Sequence, residues 1–188
     1  MLEKSCATTG EECLISITIP SRKLGNRNNR LRTAVNSLVR MTRHPGRCEI
    51  LVKVDEDDDL AFFNGIKRKY PNVNLRFFVT PRGGGYADLH HYYSFLIDQA
   101  SPTSKAWVLF NDVGVFIRAG WDLDVYELID REPVFVAGSV SFASEIRIIP
   151  TVAKPKPLYG YRNEGFPIVA FTLLKAVSEA LKHVDGWT

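Results

Sequence analysis

Carboxylates, arginines and a glycine run recur in this chain where apolar segments stop. Pro20, Ser21 and Arg22 follow the run 14–19, Asp55 follows the run 48–54, Arg82 with Gly83, Gly84 and Gly85 follows the run 75–79, and Asn111 with Asp112 follows the run 106–110. Each group has a chemistry. An acidic residue after such a strand accepts hydrogen bonds from a base N–H or a ribose hydroxyl. Glycines let backbone amides approach phosphate oxygens without interference from a Cβ, and an arginine with a helix N-terminus adds positive potential. Asp112 offers a hard oxygen to Mg²⁺ or Mn²⁺, ions that need only one or two carboxylates when phosphates and water complete the shell. Together the groups predict a nucleotide ligand.

Each reading has a plainer rival. The glycine run matches neither GxxxxGK[ST] nor GxGxxG, which removes the main support for a P-loop ATPase or a dinucleotide-binding dehydrogenase and leaves a flexible surface loop as the rival. Residues 57–59 in the acidic run read as caps for a helix starting near Leu60. Asn111-Asp112 also reads as an ordinary turn. His90 and His91 are adjacent in a helical pattern and so point about 100° apart, which rules against a shared zinc ion and leaves one of them to face the ligand.

The elements that must carry these loops alternate. Residues 14–19 read as a buried strand. Leu31, Ala34, Val35, Leu38 and Met41 recur at helical spacing until Pro45 and Gly46, residues 48–54 read as a second strand, and Leu60 to Ile66 as a helix ending at Tyr70-Pro71. A third strand at 75–79 precedes a helix over 86–100, and a fourth strand lies at 106–110. This rhythm predicts parallel strands with crossover helices, an α/β domain in which the four loops meet beyond the carboxyl ends of the strands. Later the rhythm changes. A helix over 123–131, a strand over 134–137, an irregular proline-rich stretch over 141–163 and a last helix over 168–183 are expected. No domain boundary is visible, so residues 1–188 read as a single domain, either minimal or one module of a longer polypeptide.

Composition narrows the class. The 188 residues are 45% hydrophobic and 24% charged, with 24 Lys+Arg against 21 Asp+Glu, which suits a globular domain and is too balanced to announce a nucleic-acid binder. No stretch approaches the ~18–20 apolar residues of a membrane span. Cys6, Cys13 and Cys48 form neither an even disulfide set nor a CxxC pair, so free thiols and a cytoplasmic location are expected.

Taken together, Ile15-Ser-Ile-Thr-Ile-Pro-Ser-Arg22, Ile50-Leu-Val-Lys-Val-Asp55, the glycine-rich turn before a helix, and Trp107-Val-Leu-Phe-Asn-Asp112 followed by Gly120-Trp121-Asp122 resemble a GT-A-fold glycosyltransferase of the family 2 type over about residues 14–125. The resemblance implies a Rossmann-like GT-A domain. Residues 1–13 would be an extension, 14–112 the nucleotide-binding half and 113–188 the acceptor side. It implies that Pro20, Ser21, Arg22 and Asp55 hold the base and ribose of a nucleotide-sugar, usually UDP. It also implies that Arg82, Gly83, Gly84 and Gly85 with Asp88 and His91 face the diphosphate and sugar. Asn111-Asp112-Val113 stands where the family has its DxD metal motif, so Asp112 is the sole carboxylate left there to bind Mn²⁺ or Mg²⁺. The implied reaction transfers a sugar from a UDP-sugar to a hydroxyl of a glycan or glycoconjugate acceptor. An inverting reaction needs a carboxylate base, for which Glu164 and Asp185 are the acceptor-side candidates and Asp122 a third, with a helix N-cap as its plainer role.

Two other readings compete. One is a non-catalytic nucleotide- or glycan-binding module with a degenerate metal motif, favoured by Val113. The other takes Arg22, Lys23, Arg27, Arg30, Arg32, Arg40, Arg43 and Arg47 as a nucleic-acid or acidic-partner surface. Their helix repeats apolar residues on one face, so its arginines also read as a solvated side.

Overall fold

The computed structural model describes residues 12–22, 30–110, 112, 114–116 and 119–129, together with the short strands at 134–136, 138–140, 146–147, 157–160 and 167–170. The first strand, β1 (Ile15–Pro20), is β-branched and almost wholly buried. Helix α1 (Arg30–Met41) returns across the sheet and buries Leu31, Ala34, Val35 and Leu38. Strand β2 (Cys48–Asp55) is buried along its whole length, α2 (Leu60–Lys69) buries Phe63 and Ile66, and β3 (Asn74–Thr80) lies at the sheet edge. Helix α3 (Leu89–Asp98) leads to β4 (Ala106–Leu109).

Strands β1 to β4 are parallel and stand side by side in the order β3-β2-β1-β4. The chain therefore steps outward from β1 to β3 and then returns to the far side of β1. Right-handed crossovers require the helices of the two directions to lie on opposite faces. They do: α1 and α2 pack with Ile15, Ile17, Ile19, Ile50, Val52 and Val54, whereas Tyr93 and Ile97 of α3 pack with Trp107 and Leu109. Because side chains alternate along a strand, the α3 face of β2 carries Glu49, Leu51, Lys53 and Asp55. Three charged residues thus share one buried face of a strand whose other face is aliphatic.

The expected mostly parallel α/β architecture is present, and the differences lie at its second half. The helix expected over 168–183 opens instead as a strand, β10 (Pro167–Ala170). It pairs antiparallel with β4 on one side and with β6 (Val134–Val136) on the other. A short apolar run with β-branched residues is compatible with either element, and the open edge of β4 decides for the strand. Residues 171–183 lie outside the described residues. Within the stretch expected to be irregular, β8 (Ile146–Arg147) and β9 (Pro157–Gly160) join β5 (Val115–Phe116) and β7 (Gly138–Val140) in a second sheet of order β5-β9-β7-β8. These strands have two to four residues each, too few for a period to emerge. A single 3₁₀ turn at Gly85–Asp88 replaces the start of the third helix, and α4 (Trp121–Ile129) begins two residues earlier than its pattern suggested. Among the described residues no helix is long and apolar enough to cross a membrane.

Candidate functional site

Strand order reverses between β1 and β4, and in open α/β sheets the crevice beyond the carboxyl ends at such a reversal is where ligands bind. Ser21 follows β1, its N–H donating to Lys53 O at 2.9 Å. Its hydroxyl donates to Asp112 Oδ2 at 2.9 Å across the reversal. Burial pushes the Asp112 carboxyl above its ordinary value, while the Ser21 hydroxyl and the Arg30 charge act in the opposite direction. Asn111 and Val113 lie outside the described residues.

From Asp55 a chain of alternating charges runs outward. The Lys53 ammonium, itself buried, contacts the Asp55 carboxylate and sits 3.9 Å from the centroid of the Tyr92 ring. Arg22 Nε approaches Asp55 Oδ2 at 3.6 Å, and its Nη2 donates to Asp57 Oδ2 at 3.2 Å. Arg82 Nη1 donates to the same Asp57 oxygen at 3.3 Å. The order is Lys53, Asp55, Arg22, Asp57, Arg82, from interior to solvent.

Of the acidic run, only Asp59 caps a helix in the expected way, accepting from the Phe62 N–H at 3.2 Å. Asp58 closes the turn, accepting from the Asp55 N–H at 3.0 Å. Asp57 does not cap, contrary to expectation, because its carboxylate is turned to the two guanidinium groups, a stronger charge than a helix N-terminus offers at an exposed position.

The glycine loop closes the rim. Asp88 Oδ2 accepts from the Gly84 N–H, and the space that a Cβ on Gly83 would need is filled by the Tyr92 hydroxyl and the Asp88 carboxylate. Gly85 has a φ of +70°, a conformation that side chains with a Cβ adopt at a cost. The tight contacts of Gly83 thus have a local cause, namely the docking of Tyr92 and Asp88. Burial raises the Tyr92 hydroxyl above its ordinary value, with the Asp88 and Asp55 charges adding to it and backbone groups of Gly85 and Gly83 opposing it.

The structure therefore brings Pro20, Ser21, Arg22, Asp55, Arg82, Gly83, Gly84, Gly85, Asp88 and Asp112 to the carboxyl ends of β1 to β4. His91 lies one turn further along, exposed, its ring 3.8 Å from that of His90. His90 is buried and its Nδ1 has no partner among the described residues.

Asp122 is elsewhere. It is fully buried, and its carboxylate accepts from the N–H groups of Arg43 at 3.0 Å and His44 at 2.8 Å. That places it at the amino ends of the strands, where it pins the turn after α1. It is therefore neither a base for the crevice nor the N-cap of its own helix, since both oxygens serve another segment's amides. Glu164 and Asp185 lie outside the described residues.

Two residues at the crevice escaped the sequence reading, Lys53 and Tyr92. For Lys53 a signal existed. A lysine two positions before Asp55 in a buried strand must share its face and needs a counter-charge. Tyr92 had no such signal, because an aromatic in a helical pattern reads as core.

No family profile matches the chain, and no curated protein matches it. Solved structures do share its fold. The 4-diphosphocytidyl-2C-methyl-D-erythritol synthase of Anaerococcus prevotii superposes with a TM-score of 0.61 at 14% identity, over 94% of this chain and 78% of that one. TarS of S. aureus gives 0.59 at 17% identity, over 87% of this chain but 29% of TarS. A mannosyltransferase of Pyrobaculum calidifontis, solved with GDP-Man and Mn²⁺, gives 0.53 at 10% identity, over 70% of this chain and 36% of its own length. The chain spans well under half of the last two. What it has in common with all three is the fold: an open, mostly parallel α/β sheet of the GT-A type.

Proposed function

We propose that this chain is a nucleotide-sugar-dependent transferase domain in which residues 14–112 bind the donor and 113–188 face the acceptor. The observation that carries this reading is the contact network at the sheet reversal. Ser21, Arg22, Asp55, Arg82 and Asp112 come from four loops, yet each is tied to another of these loops by a side-chain contact. The neighbours by fold include TarS solved with UDP-GlcNAc and with UDP, which supports a nucleotide-sugar donor and favours a uridine nucleotide.

Roles follow from the chemistry. Asp55, fixed from below by Lys53, accepts hydrogen bonds from a base N–H or a ribose hydroxyl. Arg22 and Arg82 stabilise the charge that builds on a departing diphosphate. Sugar transfer passes through an oxocarbenium-like state as the nucleoside diphosphate leaves and the acceptor hydroxyl attacks. A base for that hydroxyl belongs to the acceptor half, where Glu164 and Asp185 are the candidates.

The donor set at Asp112 fits a loosely held divalent cation. It is one carboxylate, partly buried, whose charged form is disfavoured by burial and would be favoured by a cation beside it. Among the described residues no group of three or more ligating side chains surrounds it, so Mg²⁺ or Mn²⁺ would rely on phosphate oxygens and water for its other ligands. Such an ion would offset the charge of the leaving diphosphate.

Calorimetry with UDP, GDP and CMP, each with and without Mn²⁺, tests the donor site. Metal-enhanced binding of UDP alone is expected, and indifference to all three nucleotides ends the proposal. Slow hydrolysis of a UDP-sugar, abolished by Asp112→Ala, then marks a sugar transferase. Release of pyrophosphate from UTP or CTP with a sugar phosphate would mark a nucleotidyltransferase instead. Binding without either reaction would leave the non-catalytic module, the reading that Val113 favours.

A further inference from the structure

The crevice described above satisfies its own phosphate-binding groups with carboxylates. Arg22 Nη2 and Arg82 Nη1 both point at one oxygen, Asp57 Oδ2, at 3.2 and 3.3 Å. Two guanidinium groups converging on a single anionic oxygen is the arrangement that a phosphate oxygen accepts. Nearby, the Gly84 N–H of the glycine loop already donates to Asp88 Oδ2. Two donor sets, two internal carboxylates.

Among the described residues Asp57 has no other partner than these two arginines. Its neighbours have other tasks: Asp58 closes the turn and Asp59 caps α2, and Asp55 is locked by Lys53. Asp57 is also far more exposed, its side chain at 43% against 8% for Asp55. Ion pairs at such exposure are weak, and water or another anion replaces them at small cost.

We propose that Asp57 is a specificity-determining stand-in for a ligand phosphate, a carboxylate that holds Arg22 and Arg82 in converging orientations and yields them to an incoming diphosphate. Asp88 plays the same part for the Gly84 amide. A singly charged anion gains little by replacing a carboxylate of equal charge. A diphosphate, with more charge and more acceptor oxygens, gains both guanidinium groups and, once Asp88 turns away, the amide. The device therefore discriminates by ligand charge. It rests on the anionic-ligand reading of this crevice but not on which nucleotide, if any, the diphosphate belongs to.

Calorimetric titration of the full chain with inorganic pyrophosphate and, separately, with UDP tests it, using Asp57→Asn and Glu56→Gln. Glu56 is exposed, adjacent and forms no ion pair among the described residues, so it reports the general effect of losing one negative charge nearby. Pyrophosphate binding about three- to tenfold tighter in Asp57→Asn is expected, with Glu56→Gln within about twofold of the parent. Equal tightening in the two variants, or weaker binding in Asp57→Asn, overturns the proposal. If pyrophosphate behaves as expected while UDP binds to no variant, the stand-in holds and the nucleotide-sugar function falls. If UDP binds the parent and Asp57→Asn equally, the function survives and the stand-in falls. Absence of binding of either probe to all three proteins overturns both.

Discussion

Two arginine–carboxylate clusters sit at opposite ends of β2, and they behave as opposites. At the amino end, Glu49 is 1% exposed. Its Oε1 accepts from the Ser16 hydroxyl and the Ser101 N–H, both at 2.6 Å, and its Oε2 from Arg76 Nη2 at 2.7 Å. Arg76 Nη2 also donates to Gln99 O at 2.7 Å, and the Ser104 hydroxyl, 2.8 Å from that of Ser16, extends the knot to β4. The strand runs six more residues to Asp55, about 20 Å, and just beyond its end Asp57, Arg22 and Arg82 use the same chemistry in contact with water. Burial makes the difference. A buried carboxylate with both oxygens satisfied cannot exchange partners without leaving an uncompensated charge, whereas an exposed pair gives up its partners at a cost of about 1 kcal/mol or less. The first cluster ties three strands and the end of α3 together, and the second stays open to a ligand.

Breaking the knot should have the largest effect. Glu49→Ala leaves Arg76 and the Ser101 N–H without their partner and should lower the unfolding free energy by about 3–5 kcal/mol, measured by denaturant titration. Below its melting temperature the variant should bind pyrophosphate as the parent does, and a parallel loss of binding would show that the two clusters are coupled. Asp122→Ala, which removes a fully buried carboxylate and leaves the Arg43 and His44 amides without their acceptor, should cost about 1–3 kcal/mol in the same assay, again with binding intact.

Smaller effects sharpen the contrast from the open end. Because the Asp112 carboxyl is raised by burial, the folded state takes up its proton more readily than the unfolded state. The stability this adds is fully present below the ordinary carboxylate pKa and is lost as pH rises through the raised value. Asp112→Asn removes the buried charge. It should therefore melt slightly above the parent at pH 7, with the gap closing as the pH falls and Asp112 in the parent becomes protonated, and it should lose metal-enhanced nucleotide binding. Arg82→Ala should move stability least, within about 0.5 kcal/mol, while weakening pyrophosphate binding. A loss of stability comparable to that of Glu49→Ala would erase the distinction between the two clusters.

Much of the first half of the fold was legible in the residues. The β-branched run of β1, the helical spacing of Leu31, Ala34, Val35 and Leu38, and the breaks at Pro45 and Pro71 are local signals, and local hydrogen bonding honours them. The candidate site was legible in outline for the same reason: residues that end parallel strands must share one end of the sheet. The acidic run was the opposite case. Asp55, Asp57, Asp58 and Asp59 are alike on paper, and one meets a buried lysine, one bridges two arginines, one closes a turn and one caps a helix.

Local order, then, was written in periodicity, because strands and helices are set by the spacing of apolar residues over a few turns. Partners across long separations were not. The Lys53 contact with Tyr92, the displacement of Asp122 to the far pole and the insertion of β10 beside β4 depend on which surfaces are left open once the sheet has formed. Those surfaces exist only in three dimensions, where the desolvation of a charge or an unpaired strand edge selects the partner.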